Sequence, residues 1–336
     1  MVKTIKSIAR IYSGSEKNIA LLARVLQKGG LVAVPTETVY GLAAHALDKK
    51  ACHKIFKAKG RPTNDPLIVH VHSLSEVEII AETNPLVKTL AKAFWPGPLT
   101  LVLPKKPCVP SVVTSNLPSV AVRVPSHPVF RKLLKKSGLA LAAPSANPFG
   151  YVSPTTSDHV LLSLGTKIEY ILEGGPSKVG VESTILDLRD TAKPTILRPG
   201  GITQKALEKV LKQKVYLNHK SAPSKINQVA PGLLTNHYSP HTPLVIKNRL
   251  SLSAAKKSSP NNAWLFIKKP KGILTKNTFY LSRSGNLEEV AHHLFSKLRY
   301  LDSGKWSQII AEKASGEGIA LAINDRLMRA AAKRSL

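Results

Sequence analysis

The sequence has few cysteines and no long apolar run. Only Cys52 and Cys108 occur among 336 residues, too few for a disulfide framework or a four-cysteine zinc site, so a reducing compartment is expected. No stretch approaches the ~18 uninterrupted apolar residues of a membrane-spanning helix, and the N-terminus lacks an apolar segment for export. These absences predict a soluble cytoplasmic protein without a membrane partner.

Common nucleotide and metal motifs are also missing. No Gly-x-x-x-x-Gly-Lys-Ser/Thr segment occurs, so a triphosphate would have to be held without a P-loop. The segment 316–318, Gly-Glu-Gly, lacks the third glycine of a dinucleotide fingerprint. His237 and His241 are separated by Pro240, which breaks a helix, and no third ligand is evident. Ordinary loop histidines are therefore favoured over a metal site.

Acidic residues are scarce, and the chain is strongly basic as a result. It has 49 Lys and Arg against 20 Asp and Glu, a formal net charge of +29. Both parts contribute, with 30 against 14 in residues 1–216 and 19 against 6 in residues 217–336. This charge fits a polyanionic ligand such as a nucleotide or RNA, although a basic surface that serves only solubility explains it equally well. Aromatic residues make up only 5%, which argues against a module that stacks RNA bases.

Apolar periodicity predicts an α/β domain in residues 1–216. Ile19, Leu22 and Leu26 follow helical spacing, and Gly29-Gly30 then ends the helix before an apolar run at 31–34. Helical patterns alternate with strand-like runs up to about residue 215, which predicts a twisted, mixed sheet. Further predicted strands are 66–71, 99–103, 120–124, 139–143, 169–172, 184–188 and 195–197.

The rest of the chain predicts a linker and a smaller domain. Residues 217–243 are rich in Pro, Ser, Asn and His without periodicity, which is typical of a linker. Residues 244–336 contain strand-like runs at 244–246, 263–267, 278–282 and 308–311, together with amphipathic helices. Asn286 is the expected N-cap of one helix. A Rossmann-like α/β domain is predicted here.

Cationic side chains follow the ends of several predicted elements. Lys59 and Arg61 follow a helix, and 145–147, Ser-Ala-Asn, follows a strand, so that cations, a hydroxyl and backbone N–H groups could hold a polyanion. Arg123 and Arg198 close strand runs, where ligands of open α/β sheets gather. The alternatives are a solvated basic helix end for the first pair and ordinary salt bridges for the second.

Hydroxyl and amide side chains also lie near glycines and prolines, where a backbone can approach a ligand closely. Each of them, taken singly, is typical of a turn or a cap. Glu37 and Glu182 could assist magnesium or orient a substrate, and capping is again the alternative. The hydroxyl and amide residues are Thr36, Thr38, Ser145, Asn147, Ser153 and Ser183.

Several longer segments carry a resemblance to a known family. Over essentially its whole length, the chain resembles the YrdC-like family in its long two-domain form, the threonylcarbamoyl-AMP synthases. The segments that match the family are 35–42, 55–62, 66–70, 95–100 and 143–147, and those that match the long form are 197–200, 230–232, 237–240 and 318–326.

The resemblance implies a YrdC-like twisted mixed sheet with an open cavity, followed by the smaller Rossmann-like domain. It also implies a nucleotidyltransferase that joins L-threonine, bicarbonate and ATP, accompanied by Mg²⁺, into threonylcarbamoyl-AMP and pyrophosphate. The product would serve a downstream tRNA threonylcarbamoyl transferase complex, and a contact with tRNA is a further expectation. A non-catalytic RNA-binding or ribosome-maturation protein of this fold is the alternative.

The resemblance also implies roles for individual residues. The linker at 217–243 would fold over the cavity as a lid, and no magnesium ligand is assigned. Lys59 and Arg61 would be catalytic. The implied ATP contacts are Lys59, Arg61, Ser119, Ser145, Asn147, Ser153, Arg198 and Tyr238, and the implied threonine contacts are Thr36, His70, Arg123 and Ser183.

Overall fold

The computed structural model describes residues 8–218, 228–232 and 237–332. The predicted linker therefore lies partly outside the described residues, at 219–227 and 233–236. Within the described residues, no helix is both long enough and apolar enough to cross a membrane.

Residues 8–218 form one large sheet with helices packed on it. Its strands are β1 (Arg10–Tyr12), β2 (Val32–Val34), β3 (Gly41–His45), β4 (Ile68–His70), β5 (Leu99–Pro104), β6 (Ser119–Arg123), β7 (Leu141–Ala142), β8 (Tyr170–Leu172), β9 (Thr184–Asp187), β10 (Thr195–Arg198) and β11 (Tyr216–Leu217). Its helices are α1 (Glu16–Gln27), α2 (Lys49–Lys59), α3 (Leu74–Ile80), α4 (Pro85–Phe94), α5 (Pro128–Ser137), α6 (Ser157–Leu164) and α7 (Gln204–Leu211).

The sheet mixes parallel and antiparallel pairs, as predicted. Its strand order is β1-β8-β2-β3-β7-β4-β6-β5-β9-β10-β11. Strands β4 and β6 are parallel, and their register places His70 beside Arg123. Strands β5 and β9 are also parallel, and Leu99 pairs with Thr184 at their start. The carboxyl ends of β4 and β6 thus bring two predicted site residues to the same edge of the sheet.

Strand β3 was not predicted from the sequence. Its residues, Gly-Leu-Ala-Ala-His, have little of the β-branched and aromatic character that is typical of strands. It forms because β2 and β7 pair with it on both sides, each antiparallel. Tertiary pairing here overrides a weak local preference.

Helix α2 ends at the first cationic motif. Asp48 caps its start by accepting hydrogen bonds from the backbone N–H groups of Lys50 and Ala51. Gly60 ends it in the left-handed region with a φ of 63°, which glycine adopts at no steric cost. Lys59 therefore belongs to the last helical turn, whereas Arg61 lies beyond a sharp change of direction.

The second domain is a small parallel sheet with helices on it. Its order, β12-β15-β13-β14, is parallel at every pair. Asn286 caps α9 as predicted, accepting from the N–H of Glu289 at 2.9 Å. The strands are β12 (Leu244–Lys247), β13 (Asn262–Lys268), β14 (Thr278–Ser282) and β15 (Gln308–Glu312), and the helices are α8 (Leu252–Lys257), α9 (Leu287–Asp302) and α10 (Ile319–Ala331).

Helix α9 of the second domain packs directly against the first. The Arg299 guanidinium donates to the backbone carbonyls of Val152 at 2.6 Å and Ser153 at 3.2 Å. One apolar cluster also combines Val181 of the first domain with Phe295 of α9. The second domain thus borders the part of the first domain where the predicted site lies.

Candidate functional site

A small cavity lies beyond the carboxyl ends of β4 and β6. It measures about 40 Å³. The described linker residues Pro231, Gly232, His237 and Tyr238 form part of its lining. Among the residues singled out in the sequence, the cavity is lined by Thr36, Thr38, Arg61, His70, Arg123, Ser145, Glu182, Ser183, Arg198 and Tyr238.

One end of the cavity borders a buried ion pair, of which Arg123 is the member in the lining. An Nη2 atom of Arg123 lies 2.7 Å from Oε1 of Glu37, and both side chains are almost fully buried. Arg123 also donates to the Thr38 hydroxyl at 3.0 Å and to the Gly97 carbonyl at 3.2 Å. Burial opposes ionisation of Glu37, but the neighbouring Arg123 holds the pKa of Glu37 below its ordinary value. This end therefore carries one positive and one negative charge.

The same end contains a neutral histidine and a tight turn. Burial, and then the charge of Arg123, lower the pKa of His70 to about 3, so its ring is neutral at physiological pH. The Thr36 hydroxyl donates to the carbonyl of Val39 at 2.6 Å and accepts from its N–H at 3.2 Å. Thr36 is therefore a turn residue, which was the alternative to a ligand contact, and it also lines the cavity.

Lys59 and Arg61 are buried, which excludes a solvated helix end. The exposed fraction is 2% for Lys59 and 6% for Arg61. The Lys59 ammonium donates to the backbone carbonyls of Ser145 and Asn147. It thereby joins the two motifs that the sequence singled out. Burial, and then the charge of Arg61, lower the pKa of Lys59 well below its ordinary value.

The other two cations have different partners. Arg61 forms a buried ion pair with Asp65 at 2.9 Å and donates to the Pro66 carbonyl at 2.7 Å. Arg198 donates to the Ser183 carbonyl at 3.1 Å and to the Pro231 carbonyl at 3.2 Å. No carboxylate in residues 8–218, 228–232 or 237–332 forms an ion pair with Arg198. The salt-bridge alternative thus holds for Arg123 and not for Arg198 in the described structure.

Tyr238 is fully buried against the cavity, and its backbone φ of 62° is unusual for a residue with a side chain. Its ring stacks on Phe295 of α9, with centroids 5.5 Å apart. At Gly232 an added Cβ would approach the Tyr238 hydroxyl to 2.6 Å. We call residues 230–232 and 237–239 the cover segment, because their packing closes this side of the cavity.

Four of the residues implied as ATP or threonine contacts do not line the cavity. Lys59 and Asn147 lie one contact behind it, and the Asn147 amide donates to the Tyr151 carbonyl at 2.9 Å. The Ser153 hydroxyl donates to Oε1 of Glu182, a cavity residue, at 2.5 Å. Ser119 begins β6 at the end opposite Arg123, about 13 Å away along an extended strand. Extending the register of β4 and β6 places Ser119 level with Pro66, whose carbonyl accepts from Arg61.

Two buried carboxylates form ion pairs that the sequence did not predict. Glu37 pairs with Arg123, and Glu182 pairs with Arg326 of α10 at 2.8 Å. The partners in each pair lie far apart in the chain, 144 residues apart for Glu182 and Arg326, so no local sequence pattern indicates either pair. Both glutamates thus have an arginine partner, and Glu37 additionally accepts from the backbone N–H of Ser126, shortly before α5.

The described residues do not form a resident metal site. No group of three or more His, Cys, Asp or Glu side chains suited to a metal ion occurs within this part of the chain. The buried carboxylates of Glu37, Asp65 and Glu182 are each bound to an arginine. A Mg²⁺ ion held by its own protein cage does not fit this set of side chains.

Comparison with known proteins agrees with this architecture. The profile of the Sua5_yciO_yrdC family, described as "Telomere recombination", matches residues 24–200. The profile of the "Threonylcarbamoyl-AMP synthase, C-terminal domain" matches residues 202–332. The chain belongs to the Sua5/YciO/YrdC family. The resemblance inferred from the sequence segments is thereby confirmed.

Individual members of the Sua5/YciO/YrdC family are similar over nearly the whole chain. A threonylcarbamoyl-AMP synthase of Pyrococcus abyssi is 40% identical, with 95% of each chain covered. One of Bacillus subtilis is also 40% identical, over 96% of this chain and 95% of its own. The crystal structure of P. abyssi Sua5 complexed with L-threonine superposes with a TM-score of 0.87 at 38% identity, covering 96% of this chain and 98% of that one. The predicted fold class is confirmed.

Proposed function

We propose that this chain is an L-threonylcarbamoyladenylate synthase, a nucleotidyltransferase that makes threonylcarbamoyl-AMP and pyrophosphate from L-threonine, bicarbonate and ATP. The observation that carries the proposal is the charge distribution of one cavity. Arg123 lines one end and is balanced by its ion pair with Glu37 behind the lining. At the other end Arg61 is balanced by Asp65, whereas Arg198 and the nearby Lys59 have no carboxylate partner among the described residues and supply an excess of positive charge. The names of the full-length relatives and the threonine bound to P. abyssi Sua5 support it.

The balanced end suits an amino acid. Free threonine carries an ammonium and a carboxylate, and these can meet the carboxylate of Glu37 and the guanidinium of Arg123. The neutral His70 adds no charge to this balance. We assign threonine binding to this end, with Thr36, His70, Arg123 and Ser183 as the contact residues.

The positive end suits a triphosphate. The threonine ammonium first loses a proton to solvent, and the free amine condenses with bicarbonate to give a carbamate and water. A carbamate oxygen then attacks the α-phosphorus of ATP, and the bond from that phosphorus to pyrophosphate breaks. This step needs alignment and compensation of negative charge more than a protein nucleophile. We assign these tasks to Lys59 and Arg61. Further ATP contacts are assigned to Ser119, Ser145, Asn147, Ser153, Arg198 and Tyr238.

Mg²⁺ would accompany ATP as an ion bound by phosphate oxygens and water. The paired state of the cavity carboxylates is consistent with an ion that arrives with its substrate. We also expect the protein to act in the cytoplasm, to deliver its product to a tRNA threonylcarbamoyl transferase complex and to contact tRNA.

ATP binding requires the cavity to enlarge. Its volume of about 40 Å³ is far below the ~300–1,000 Å³ of pockets that enclose drug-sized ligands. The cover segment forms one wall, and it is joined to the first domain by hydrogen bonds such as those from Arg198 to the Pro231 carbonyl and from the Ser239 N–H to the Gly150 carbonyl. We infer that the cover segment opens to admit ATP and closes to shield the hydrolysable product from water.

The test is pyrophosphate release from ATP, with threonine and bicarbonate omitted in turn. We expect release only when all three substrates are present. Release that persists without threonine or without bicarbonate would contradict the proposal. Tight RNA retention without any turnover would instead favour the non-catalytic RNA-binding alternative.

A further inference from the structure

Arg326 is a buried cation that the second domain directs towards the cavity. It lies on α10 and is 0% exposed. Its Nε donates to Oε2 of Glu182 at 2.8 Å, and its Nη1 donates to Asp325 at 2.6 Å. Its guanidinium carbon also lies 5.3 Å from the centre of the Tyr238 ring, within the range of a cation–π interaction. One side chain therefore contacts both a cavity carboxylate and the cover segment.

Glu182 is the carboxylate that could neutralise the positive charge of the cavity. It lines the cavity together with Arg198, which has no carboxylate partner among the described side chains. A Glu182 side chain released from Arg326 would be free to pair with Arg198 or to repel a triphosphate. In the structure, Arg326 holds one of its oxygens and the Ser153 hydroxyl holds the other.

We propose that Arg326 is a positioning residue, supplied by the second domain, that keeps the Glu182 carboxylate away from Arg198 so that the cavity retains positive charge for a polyphosphate. This inference rests on the proposed function for the identity of the ligand. It gives the second domain a defined role, because the ATP site of the first domain is electrostatically incomplete without α10.

Other residues also hold the two domains together, so Arg326 is not required for that purpose alone. Arg299 of α9 already joins them through the carbonyls of Val152 and Ser153 and through the Ser163 hydroxyl at 2.8 Å. An exposed ion pair between Lys205 and Glu317 also crosses the interface, at 2.6 Å. Lys205 contacts no cavity carboxylate, and Arg299 reaches Glu182 only through the backbone of Ser153, so both provide controls for loss of an interdomain contact.

The experiment compares Arg326→Met with the double variant Arg326→Met/Glu182→Gln. ATP affinity is measured by calorimetry, and KM for ATP and kcat by pyrophosphate release. Breaking a buried charge pair leaves an uncompensated charge, so Arg326→Met should weaken ATP binding by about tenfold or more. Glu182→Gln removes that charge and should restore most of the lost affinity. Arg326→Lys, which keeps the charge, should fall in between.

Arg299→Met separates positioning from domain docking. It should lower thermal stability, and adding Glu182→Gln to it should restore no ATP affinity. Lys205→Met should match the wild type in both affinity and stability. The inference is overturned if Arg326→Met binds ATP as the wild type does, or if Glu182→Gln gives no recovery in the double variant. Should Arg326→Met not fold, Arg326→Lys with and without Glu182→Gln decides by the same criterion.

The calorimetric readout keeps this inference distinct from the proposed function. A wild-type protein that binds ATP without releasing pyrophosphate would contradict the synthase assignment. The dependence of ATP affinity on Arg326 and Glu182 would still be measurable in that protein. Conversely, normal turnover by Arg326→Met would leave the synthase assignment intact and reject the role of Arg326.

Discussion

The two ends of the cavity handle buried charge differently. At the threonine end, Arg123 pairs with Glu37 inside the first domain, at 2.7 Å. At the nucleotide end, Lys59 is bound by backbone carbonyls and Arg198 by carbonyls and a hydroxyl, while the nearby Glu182 is bound by Arg326 of the second domain. The first end is neutral as it stands, and the second keeps positive charge.

This difference matches the two ligands in the proposed reaction. A zwitterion needs one charge of each sign, whereas a triphosphate needs an excess of cations. Burying unpaired cations is costly, and the lowered pKa of Lys59 is one expression of that cost. The nucleotide end is therefore the less stable part of the site, and its stability should improve when an anion binds.

Disrupting the Glu37–Arg123 pair should have the largest effect on stability and ligand binding. Arg123→Met leaves Glu37 buried without its partner, so the free energy of unfolding should fall by about 3–5 kcal/mol. Threonine affinity should be lost as well, because the guanidinium is the proposed partner of the threonine carboxylate. Chemical denaturation and calorimetry with threonine measure the two effects.

The double variant Arg123→Met/Glu37→Gln tests whether the two effects are separable. Removing both charges should recover much of the stability, since no unpaired carboxylate remains buried. Threonine affinity should stay low. Recovery of threonine binding in the double variant would show that the pair serves the fold and not the ligand.

At the positive end, removal of Lys59 should affect turnover and leave threonine binding unchanged. Lys59→Met should lower the rate of pyrophosphate release by ~10²–10³-fold, the scale for loss of one preorganised donor. It is a cleaner test than a change at Arg61, which would leave Asp65 buried without its partner. Threonine affinity measured on the same sample is the control, and its loss would mean that the two ends are not independent.

Much of this fold, and part of the site, could be predicted from the sequence. The apolar spacing of α1 and the alternation of strands and helices depend on local patterns, and they gave the mixed sheet and the second domain. The family resemblance grouped Lys59 with Ser145 and Asn147, and the Lys59 ammonium donates to both of their carbonyls in the structure. Strand β3 was missed because its Gly and Ala residues form a strand only between two partners.

The charge pairs could not be predicted in the same way. Whether Lys59 is solvated or buried depends on what covers the end of α2, and the partner of Glu182 comes from α10 in another domain. Such contacts join residues far apart in the chain, and no local spacing encodes them. The difference between the two ends of the cavity is consequently a property of the tertiary structure alone.

The pH dependence of ATP affinity should show a smaller effect at the positive end. Burial, and then Arg61, lower the pKa of Lys59 in the free protein, and a bound triphosphate favours the protonated form and raises that pKa. ATP affinity should therefore fall as pH rises above the free-protein pKa, by at most about tenfold per pH unit. Calorimetry over the same pH range, with phosphate groups fully ionised, should also detect proton uptake on binding.

Lys59→Arg is the control for this pH dependence, because a guanidinium remains protonated throughout the range. The slope and the proton uptake should both disappear in this variant, even if its affinity is lower. A slope that persists in Lys59→Arg would assign the titration to another group.

The smallest effect is expected at Gly60, which lies between the two cations. Its left-handed φ of 63° makes Gly60→Ala unfavourable by roughly 1–2 kcal/mol, yet an added Cβ would meet no atom within 4 Å. Denaturation should show this modest loss of stability, while ATP affinity stays close to that of the wild type.

Gly232→Ala is the contrasting variant, because its Cβ would lie 2.6 Å from the Tyr238 hydroxyl and 3.0 Å from Arg198. It should weaken ATP binding clearly more than Gly60→Ala does, and equal effects of the two would argue against a close fit of the cover segment over the positive end.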